Sequence, residues 1–351
     1  MCAVSVSSAA NSVLAKARAM YGHRLTAQNY NELLACRTVG EVAAYLKAHT
    51  DYSSAFEGVT MGALHRGQIE SLIRDRLFEQ YASLCRYEKF IGDTFYEHFV
   101  MKSDVDLLLH AIRRINRTHP DDFPRRTPEF FLRHSQIDTQ SLKTVNDIES
   151  LLSAVEGSPY RAVLEPFASR GEGGNPDFFG MELALNKFFY SSSADRIKKC
   201  YKGATRRELK EMLTFLVDLD NIVSVYRLKR LSDMPQAVFR NMMLPCGGMS
   251  EKQIDRFLSA DSAQAALKTL KGTPYEAFAL RKGASVEDVA GRLEYDFCKS
   301  KIRFSSTPSV VMLCYVRLAE NEAQNITHII EGIRYNIPTE EIRQILIGAG
   351  D

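Results

Sequence analysis

The chain has 351 residues, 45% of them hydrophobic and 25% charged, and its 45 Lys and Arg nearly balance its 43 Asp and Glu, for a net charge of +2. This length allows two or three domains, and the charge balance gives no basic domain of the kind that binds nucleic acid. The seven scattered cysteines argue against a disulfide scaffold and indicate reduced core cysteines, and the longest apolar stretch, residues 310–316, is too short for a membrane-spanning helix of about 20 residues.

Helical periodicity dominates the chain. Apolar residues recur at the spacing of one helix face over residues 69–78, 212–219 and 310–318. Strand-like alternation over more than four residues is hard to find, and no turn dipeptide separates two such runs. The pattern therefore predicts an all-α protein.

The sequence repeats one helical unit three times. Each copy opens with a short helix that leads to a tyrosine, and these tyrosines follow one another at intervals of 108 and 115 residues. They are Tyr52, Tyr160 and Tyr275. Each opening helix starts with a residue suited to cap it, with an acid or amide three residues later, namely Thr38, Thr144 and Asp261. In copies two and three a glycine, Gly157 or Gly272, suits a left-handed helix end.

A second helix follows in each copy, and then a long, largely apolar helix with a polar cluster. The recurring polar residues of the long helices are Asp106, Asp220, Asn221, Asn325, Arg113 and Arg227. Copy one has Leu107 in place of Asn, and copy three has Glu331 in place of Arg. Unpaired charge on an apolar helix is costly, so we predict that these residues tie neighbouring helices together. The alternative is that this part of the helices faces a partner.

A repeat of this length is a domain-sized helical lobe, since solenoid repeats have only about 20–50 residues. The predicted lobes are residues 1–120, 121–240 and 241–351. Pro-rich junctions are expected at residues 119–128 and 234–248. Three equivalent lobes suggest a pseudo-threefold, funnel-like body around an axis.

No motif indicates catalysis or cofactor binding. The glycine-rich residues 171–174 follow no predicted strand and lack the Gly-Lys-(Ser/Thr) ending of a nucleotide loop. The eight histidines never pair at metal-ligand spacing with each other or with cysteine. We therefore expect no catalytic residue, no metal and no cofactor.

A basic run lies between the second and third helices of copy two. Its cations are Arg196, Lys198, Lys199, Lys202, Arg206, Arg207 and Lys210. A solvated helix face is the simplest interpretation, and contact with lipid headgroups or an acidic partner is the alternative. Nucleic acid is disfavoured because no aromatic platform accompanies the charges.

Several short motifs carry a resemblance that covers essentially the whole chain in order. They lie at residues 17–20, 50–52, 220–227, 246–250, 273–275, 320–326 and 338–342. With these motifs the chain resembles the C subunit of bacterial and archaeal A/V-type rotary ATPases, whose eukaryotic counterpart is the d subunit of the V-ATPase.

The resemblance implies a three-lobed helical funnel on the cytoplasmic, inner face of the cell membrane, in peripheral contact with it. Such a protein lies between the central-stalk subunits D and F and the membrane ring of proteolipid subunits. It transmits torque for proton or sodium transport and carries no catalytic site. A stand-alone helical adaptor and an unrecognised helical enzyme are the alternative hypotheses.

Overall fold

The computed structural model describes residues 3–59, 64–90, 94–116, 127–169, 171, 175–232, 234–281 and 283–350. Over these ranges all regular structure is helical, which confirms the all-α prediction. The predicted junction at residues 119–126 and most of the glycine-rich loop, residues 172–174, lie outside the described residues. No helix within the described ranges is long and apolar enough to cross a membrane.

The helices follow the order predicted for the repeat. They are α1 (Ala3–Gly22), α2 (Ala27–Ala35), α3 (Val39–His49), α4 (Arg66–Phe90), α5 (Tyr96–Ile115), α6 (Glu129–His134), α7 (Ile148–Ala154), α8 (Pro159–Leu164), α9 (Phe178–Cys200), α10 (Gly203–Leu231), α11 (Gln236–Met242), α12 (Glu251–Leu258), α13 (Ala263–Lys268), α14 (Ala277–Leu280), α15 (Val286–Phe304), α16 (Pro308–Arg334) and α17 (Thr339–Ile345). The second helices of the repeat are α4, α9 and α15, and the long polar-cluster helices are α5, α10 and α16.

The chain divides into two compact units. The first joins Met1–Tyr87 with Gln264–Asp351, and the second is Glu88–Ala263. Both ends of the chain therefore belong to the same unit. The three-lobe division at residues 120 and 240 stays a prediction.

In the first unit, the two ends of the chain share one core. Helix α1 packs against α16, and α17 packs against α2. Leu33, Leu46 and Phe56 from the first segment lie in one cluster with Ile326 and Ile330 from the last. All five side chains are fully buried, so this contact contributes apolar burial that stabilises the unit.

In the second unit, α9 is the central element. It packs against α5, α8 and α10. Leu108 and Ile112 of α5 meet Leu151, Tyr160 and Leu185 in the core cluster, because apolar residues three or four apart lie on one face of α5.

Two local predictions are confirmed. The Thr38 hydroxyl accepts the Glu41 N–H at 3.1 Å, as an N-terminal helix cap does. Gly157 and Gly272 have φ of 72° and 73°, the left-handed conformation that suits glycine at a helix end.

The predicted caps of copies two and three are wrong. In copy two the cap is Asp147, whose carboxylate accepts the Ser150 N–H at 2.8 Å. The Thr144 hydroxyl is engaged in the preceding 3-10 turn, where it donates to the Ser141 carbonyl at 3.0 Å. In copy three, α13 begins two residues after Asp261, so this side chain lies one position too early to be the cap.

The cysteine prediction holds in part. Cys85, Cys298 and Cys314 are buried, reduced thiols, as expected for core residues. Cys200 and Cys246 are exposed, which corrects the prediction for these two. Cys200 is the last residue of α9, and Cys246 has a positive φ of 69° in a turn, so neither position faces a core.

Candidate functional site

Each long helix of the repeat turns one carboxylate toward a loop, and a loop N–H donates to it. We name these three groups the carboxylate nodes. They are Glu322 of α16, Asp104 of α5 and Asp218 of α10. The donating residues, Leu25, Gln136 and Gly248, follow one another at intervals of 111 and 112 residues, so the nodes repeat with the sequence.

The first node joins the two ends of the chain. Glu322 accepts the Leu25 N–H at 2.7 Å and the Tyr52 hydroxyl at 2.8 Å. The guanidinium of Arg76 lies 4.3 Å from the centre of the Tyr52 ring and pairs with Asp51 at 2.6 Å. Charge-assisted bonds to a carboxylate are stronger than neutral ones, so this node ties α16 to segments almost 300 residues away.

The second node buries Asp104, which is 1% exposed. Its carboxylate accepts the Ser135 hydroxyl at 2.6 Å, the Gln136 N–H at 3.0 Å and the Tyr160 hydroxyl at 3.3 Å. The Tyr160 hydroxyl thus donates to a node carboxylate, as the Tyr52 hydroxyl does in copy one.

The third node depends on two glycines. Asp218 is 1% exposed and accepts the Gly248 N–H at 2.9 Å. A Cβ atom on Gly247 would lie only 2.3 Å from the Asp218 Oδ1, and one on Gly248 would lie 3.1 Å from Oδ2. The close approach of the loop to the carboxylate therefore requires glycine, most strictly at position 247.

Tyr275, the repeat tyrosine of copy three, is buried. Its N–H donates to the Thr273 hydroxyl at 3.1 Å, as the Tyr52 N–H donates to the Thr50 hydroxyl at 3.2 Å. In both copies the tyrosine therefore follows the same kind of turn, which a threonine hydroxyl stabilises.

Two of the nodes have an asparagine three residues later. Asn325 donates to the Ile347 carbonyl at 2.8 Å and accepts its N–H at 3.0 Å. Asn221 forms the same pair with Leu244, at 3.0 and 2.7 Å. Each amide satisfies both polar groups of one backbone residue. Copy one has Leu107 at this position, and this side chain is buried in the apolar core.

The other predicted residues of copy one lie toward the surface. Asp106 forms an ion pair with Lys102 one turn earlier on α5. Arg113 lies 3.4 Å from Glu182 of α9. The first contact lies within α5 and the second links α5 to α9. The functional role of both residues stays a prediction.

In copy two, Asp220 and Arg227 are exposed residues of α10. Asp220 accepts the Tyr190 hydroxyl at 2.7 Å, which links α10 to α9. The buried acids of these helices, Asp104 and Asp218, each lie two residues before a predicted one. The repeat spacing located the right turn of the helix but did not separate the inward-facing acid from the outward-facing one.

Burial has the largest effect on the acidity of two nodes. It raises the pKa of Glu322, and the bonds from Leu25 and Tyr52 lower it in part. Burial also raises the pKa of Asp104, against the lowering effect of its three donors. Both carboxyls therefore hold a proton more tightly in the folded chain than in the unfolded chain.

This direction gives a testable pH dependence for Asp104. An acid with a raised folded-state pKa stabilises the fold most below its unfolded-state pKa, about 4, and that stability is lost as pH rises through the folded-state pKa. The free energy of unfolding of the wild type, relative to Asp104→Asn, should therefore fall with rising pH. Urea unfolding of both proteins from about pH 3.5 to about pH 7 measures it. A difference that is flat, or that rises with pH, contradicts the account.

The basic run forms the tip of a helical hairpin, at the end of α9 and the start of α10. Arg196 is the exception, since it pairs with Glu97 at 2.5 Å. The other cations are exposed, namely Lys198, Lys199, Lys202, Arg206, Arg207 and Lys210. The structure therefore concentrates six exposed positive charges at one hairpin tip.

The sequence also matches a known protein family. The model of the ATP synthase (C/AC39) subunit family matches residues 13–345. The chain is 23% identical to the C subunit of the A-type ATP synthase of Pyrococcus horikoshii over 341 residues, covering 95% of this chain and 88% of that one. It is 21% identical to the corresponding A-type ATP synthase protein of Thermococcus kodakarensis, with the same coverage. It is also 21% identical to that of Methanosphaera stadtmanae, over 95% of this chain and 86% of that one.

The matched region includes all three carboxylate nodes, both asparagines that follow them, Asn221 and Asn325, and the basic hairpin tip. The chain belongs to the ATP synthase (C/AC39) subunit family.

Proposed function

We propose that this chain is a non-catalytic coupling subunit of an A/V-type rotary ATPase. It links the central-stalk subunits D and F to the membrane proteolipid ring and transmits torque for proton or sodium transport. The family match over residues 13–345 is the observation that carries the proposal. The relatives are named as subunits of an ATP synthase, so this chain is expected to act within such an assembly.

The nodes support a body that carries mechanical load. Each node fixes a long helix to a loop of another copy by hydrogen bonds to a carboxylate, which are stronger than neutral hydrogen bonds. Fixed long helices pass a displacement from one end of the helix to the other with little loss.

The cyclic order of the nodes supports the proposal of three lobes around an axis. Gln136 of copy two binds Asp104 of copy one, and Gly248 of copy three binds Asp218 of copy two. Leu25 of copy one binds Glu322 of the last copy. Each loop thus binds the long helix of the preceding copy, and the first loop binds that of the last, as expected for a closed set of three lobes.

The basic hairpin tip supports peripheral contact with the inner face of the cell membrane. Anionic headgroups attract basic residues by about 1 kcal/mol for each Lys or Arg near the surface. Six exposed cations at one tip are therefore enough to hold the chain at such a surface.

We predict that this tip binds anionic vesicles. The Lys198, Lys199 and Lys202 triple change to glutamine should weaken binding to phosphatidylglycerol vesicles about 100-fold, since three contacts of about 1 kcal/mol are lost. The matched control is the same change at Lys252, Lys268 and Lys271, which are also exposed and lie outside the tip. Co-sedimentation measures both proteins, and equal losses in the two would contradict a specific role of the tip.

The proposed function is tested by assembly. The purified chain, mixed with the central-stalk subunits and the solubilised proteolipid ring of its own complex, should bind both and bridge them in size-exclusion chromatography. Binding to neither would refute the coupling role and favour a stand-alone adaptor.

A further inference from the structure

Two cavities occupy equivalent places in copies one and two of the repeat. Each is lined by the node carboxylate, by the tyrosine that donates to it and by the loop residue whose N–H binds it. The cavity beside Glu322 has a volume of about 40 Å³, and the cavity beside Asp104 has a volume of about 440 Å³. The cavity is therefore nearly filled in copy one and open in copy two.

In copy one, the chain fills the place with its own guanidinium group. Arg76 extends from α4 over the Tyr52 ring, with 13% of its side chain exposed, and pairs with Asp51 at 2.6 Å. Burial raises the pKa of Glu322, and the charge of Arg76 opposes part of that rise. The amide of Gln80 bridges the remaining space, 3.1 Å from the Arg76 guanidinium and 2.9 Å from the Tyr315 hydroxyl. The Arg76 guanidinium is thus stabilised by the Tyr52 ring and by Asp51.

In copy two, the equivalent positions lack these groups. Phe188 and Ser192 lie on α9, 112 residues after Arg76 and Gln80, and both line the open cavity. Phe188 packs edge-on against Tyr160 and carries no charge. The smaller Ser192 leaves the space that the longer glutamine occupies in copy one.

Among the described residues that line the open cavity, the two acids outnumber the one Lys or Arg side chain. Glu97 and Arg196 both line it and neutralise each other as an ion pair at 2.5 Å. Within the described residues, the groups that donate to Asp104 are all neutral, and this carboxylate is buried. His134 also lines the cavity, and its ring nitrogens contact the Phe130 carbonyl, at 2.7 Å, and the ammonium of the exposed Lys89. Over the described part of the chain, the carboxylate of Asp104 thus has hydrogen-bond donors but no counter-ion.

We propose that the Asp104 cavity binds a guanidinium group from outside the chain. The group belongs either to a small guanidinium compound or to an arginine side chain of a partner protein. It lies beside Asp104 and Tyr160, as the Arg76 guanidinium lies over the Tyr52 ring in the cavity that Glu322 lines in copy one. This inference goes beyond the proposed function and does not depend on it.

The probe for the site is methylguanidinium, and its neutral, similarly shaped control is methylurea. Isothermal titration calorimetry of the full-length wild-type chain should give one equivalent of bound methylguanidinium and no bound methylurea. Ser192→Gln restores the residue of copy one and keeps the carboxylate, so it should weaken binding about tenfold or more by filling the space. Asp104→Asn should weaken it similarly by removing the charge.

Arg76→Ala provides the internal comparison. It opens the equivalent place in copy one, so this variant should bind a second equivalent of methylguanidinium, and the ligand should raise its thermal midpoint more than that of the wild type. Circular dichroism establishes that each variant is folded. If Asp104→Asn does not fold, Ser192→Gln decides the result. No bound methylguanidinium, equal binding by methylurea, or undiminished binding in Ser192→Gln would overturn the proposal.

Binding experiments with the partner subunits distinguish the two sources of the guanidinium group. If a partner's arginine occupies the cavity, Ser192→Gln weakens binding of the partner subunits, and those subunits displace methylguanidinium from the wild-type chain. If a free guanidinium compound occupies it, Ser192→Gln loses methylguanidinium and assembles normally. Failure of the calorimetric test in the isolated chain refutes the site alone and leaves the coupling role standing.

Discussion

Replacing Asn325 with leucine is expected to lower the free energy of unfolding by about 2–4 kcal/mol. Asn325 is 1% exposed, and it pairs with both the N–H and the carbonyl of Ile347 and donates to the Tyr30 hydroxyl at 3.1 Å. Leucine has a similar size, but it leaves these backbone groups without their partner in a closed environment. Unfolding in urea, followed by circular dichroism, measures the loss.

The reverse change in copy one is the matched comparison. Leu107 is buried among apolar residues of the second unit. Leu107→Asn places a polar amide there, and we expect it to cost about 2–4 kcal/mol as well. If Asn325→Leu were neutral, the amide pair with Ile347 would have no structural importance, and the account of the asparagine positions would fail.

Gly247→Ala is expected to destabilise the chain by about 2–4 kcal/mol, through a different cause. The added Cβ atom would lie 2.3 Å from the Asp218 Oδ1 and 3.6 Å from Val217. Because Asp218 is held by the Gly248 N–H, the loop or the acid must move, and the third node breaks. The same unfolding experiment measures the effect.

Gly22→Ala is its control. A Cβ atom at Gly22 meets nothing within 4 Å, and the residue ends α1. We expect a change within about 0.5 kcal/mol for this variant. A Gly247→Ala protein as stable as Gly22→Ala would show that the close approach of the loop to Asp218 is not required.

The helical class and the order of the elements could be predicted because both depend on local sequence. A helix face repeats every three or four residues, and the three copies reinforce one another over the length of the chain. Thr38, Gly157 and Gly272 act at helix ends through contacts within a few residues, so their roles were also visible.

The inward-facing acids were harder to identify. Asp104 and Asp106 are both acids on α5, and only the direction of the helix face separates them. Asp104 lies on the same face as Leu107, Leu108 and Ala111, which are buried, and that apolar stripe was the available signal. Applied to α10, the same reasoning selects Asp218 over Asp220.

Contacts between the ends of the chain could not be predicted from sequence pattern. The bonds from Leu25 and Tyr52 to Glu322 join residues 297 and 270 positions apart. No local rule specifies such pairs, because they arise from the packing of whole helices. The open cavity beside Asp104 escapes prediction for the same reason, since it depends on the sizes of side chains from several segments.

The most direct test of the coupling role is transport by the whole complex, assembled in vesicles with and without this chain. ATP hydrolysis and ion uptake are measured together in each preparation. The account predicts that omission abolishes ATP-driven ion uptake while hydrolysis continues, and that adding the purified chain restores uptake. Ion uptake at the full rate without the chain would contradict it.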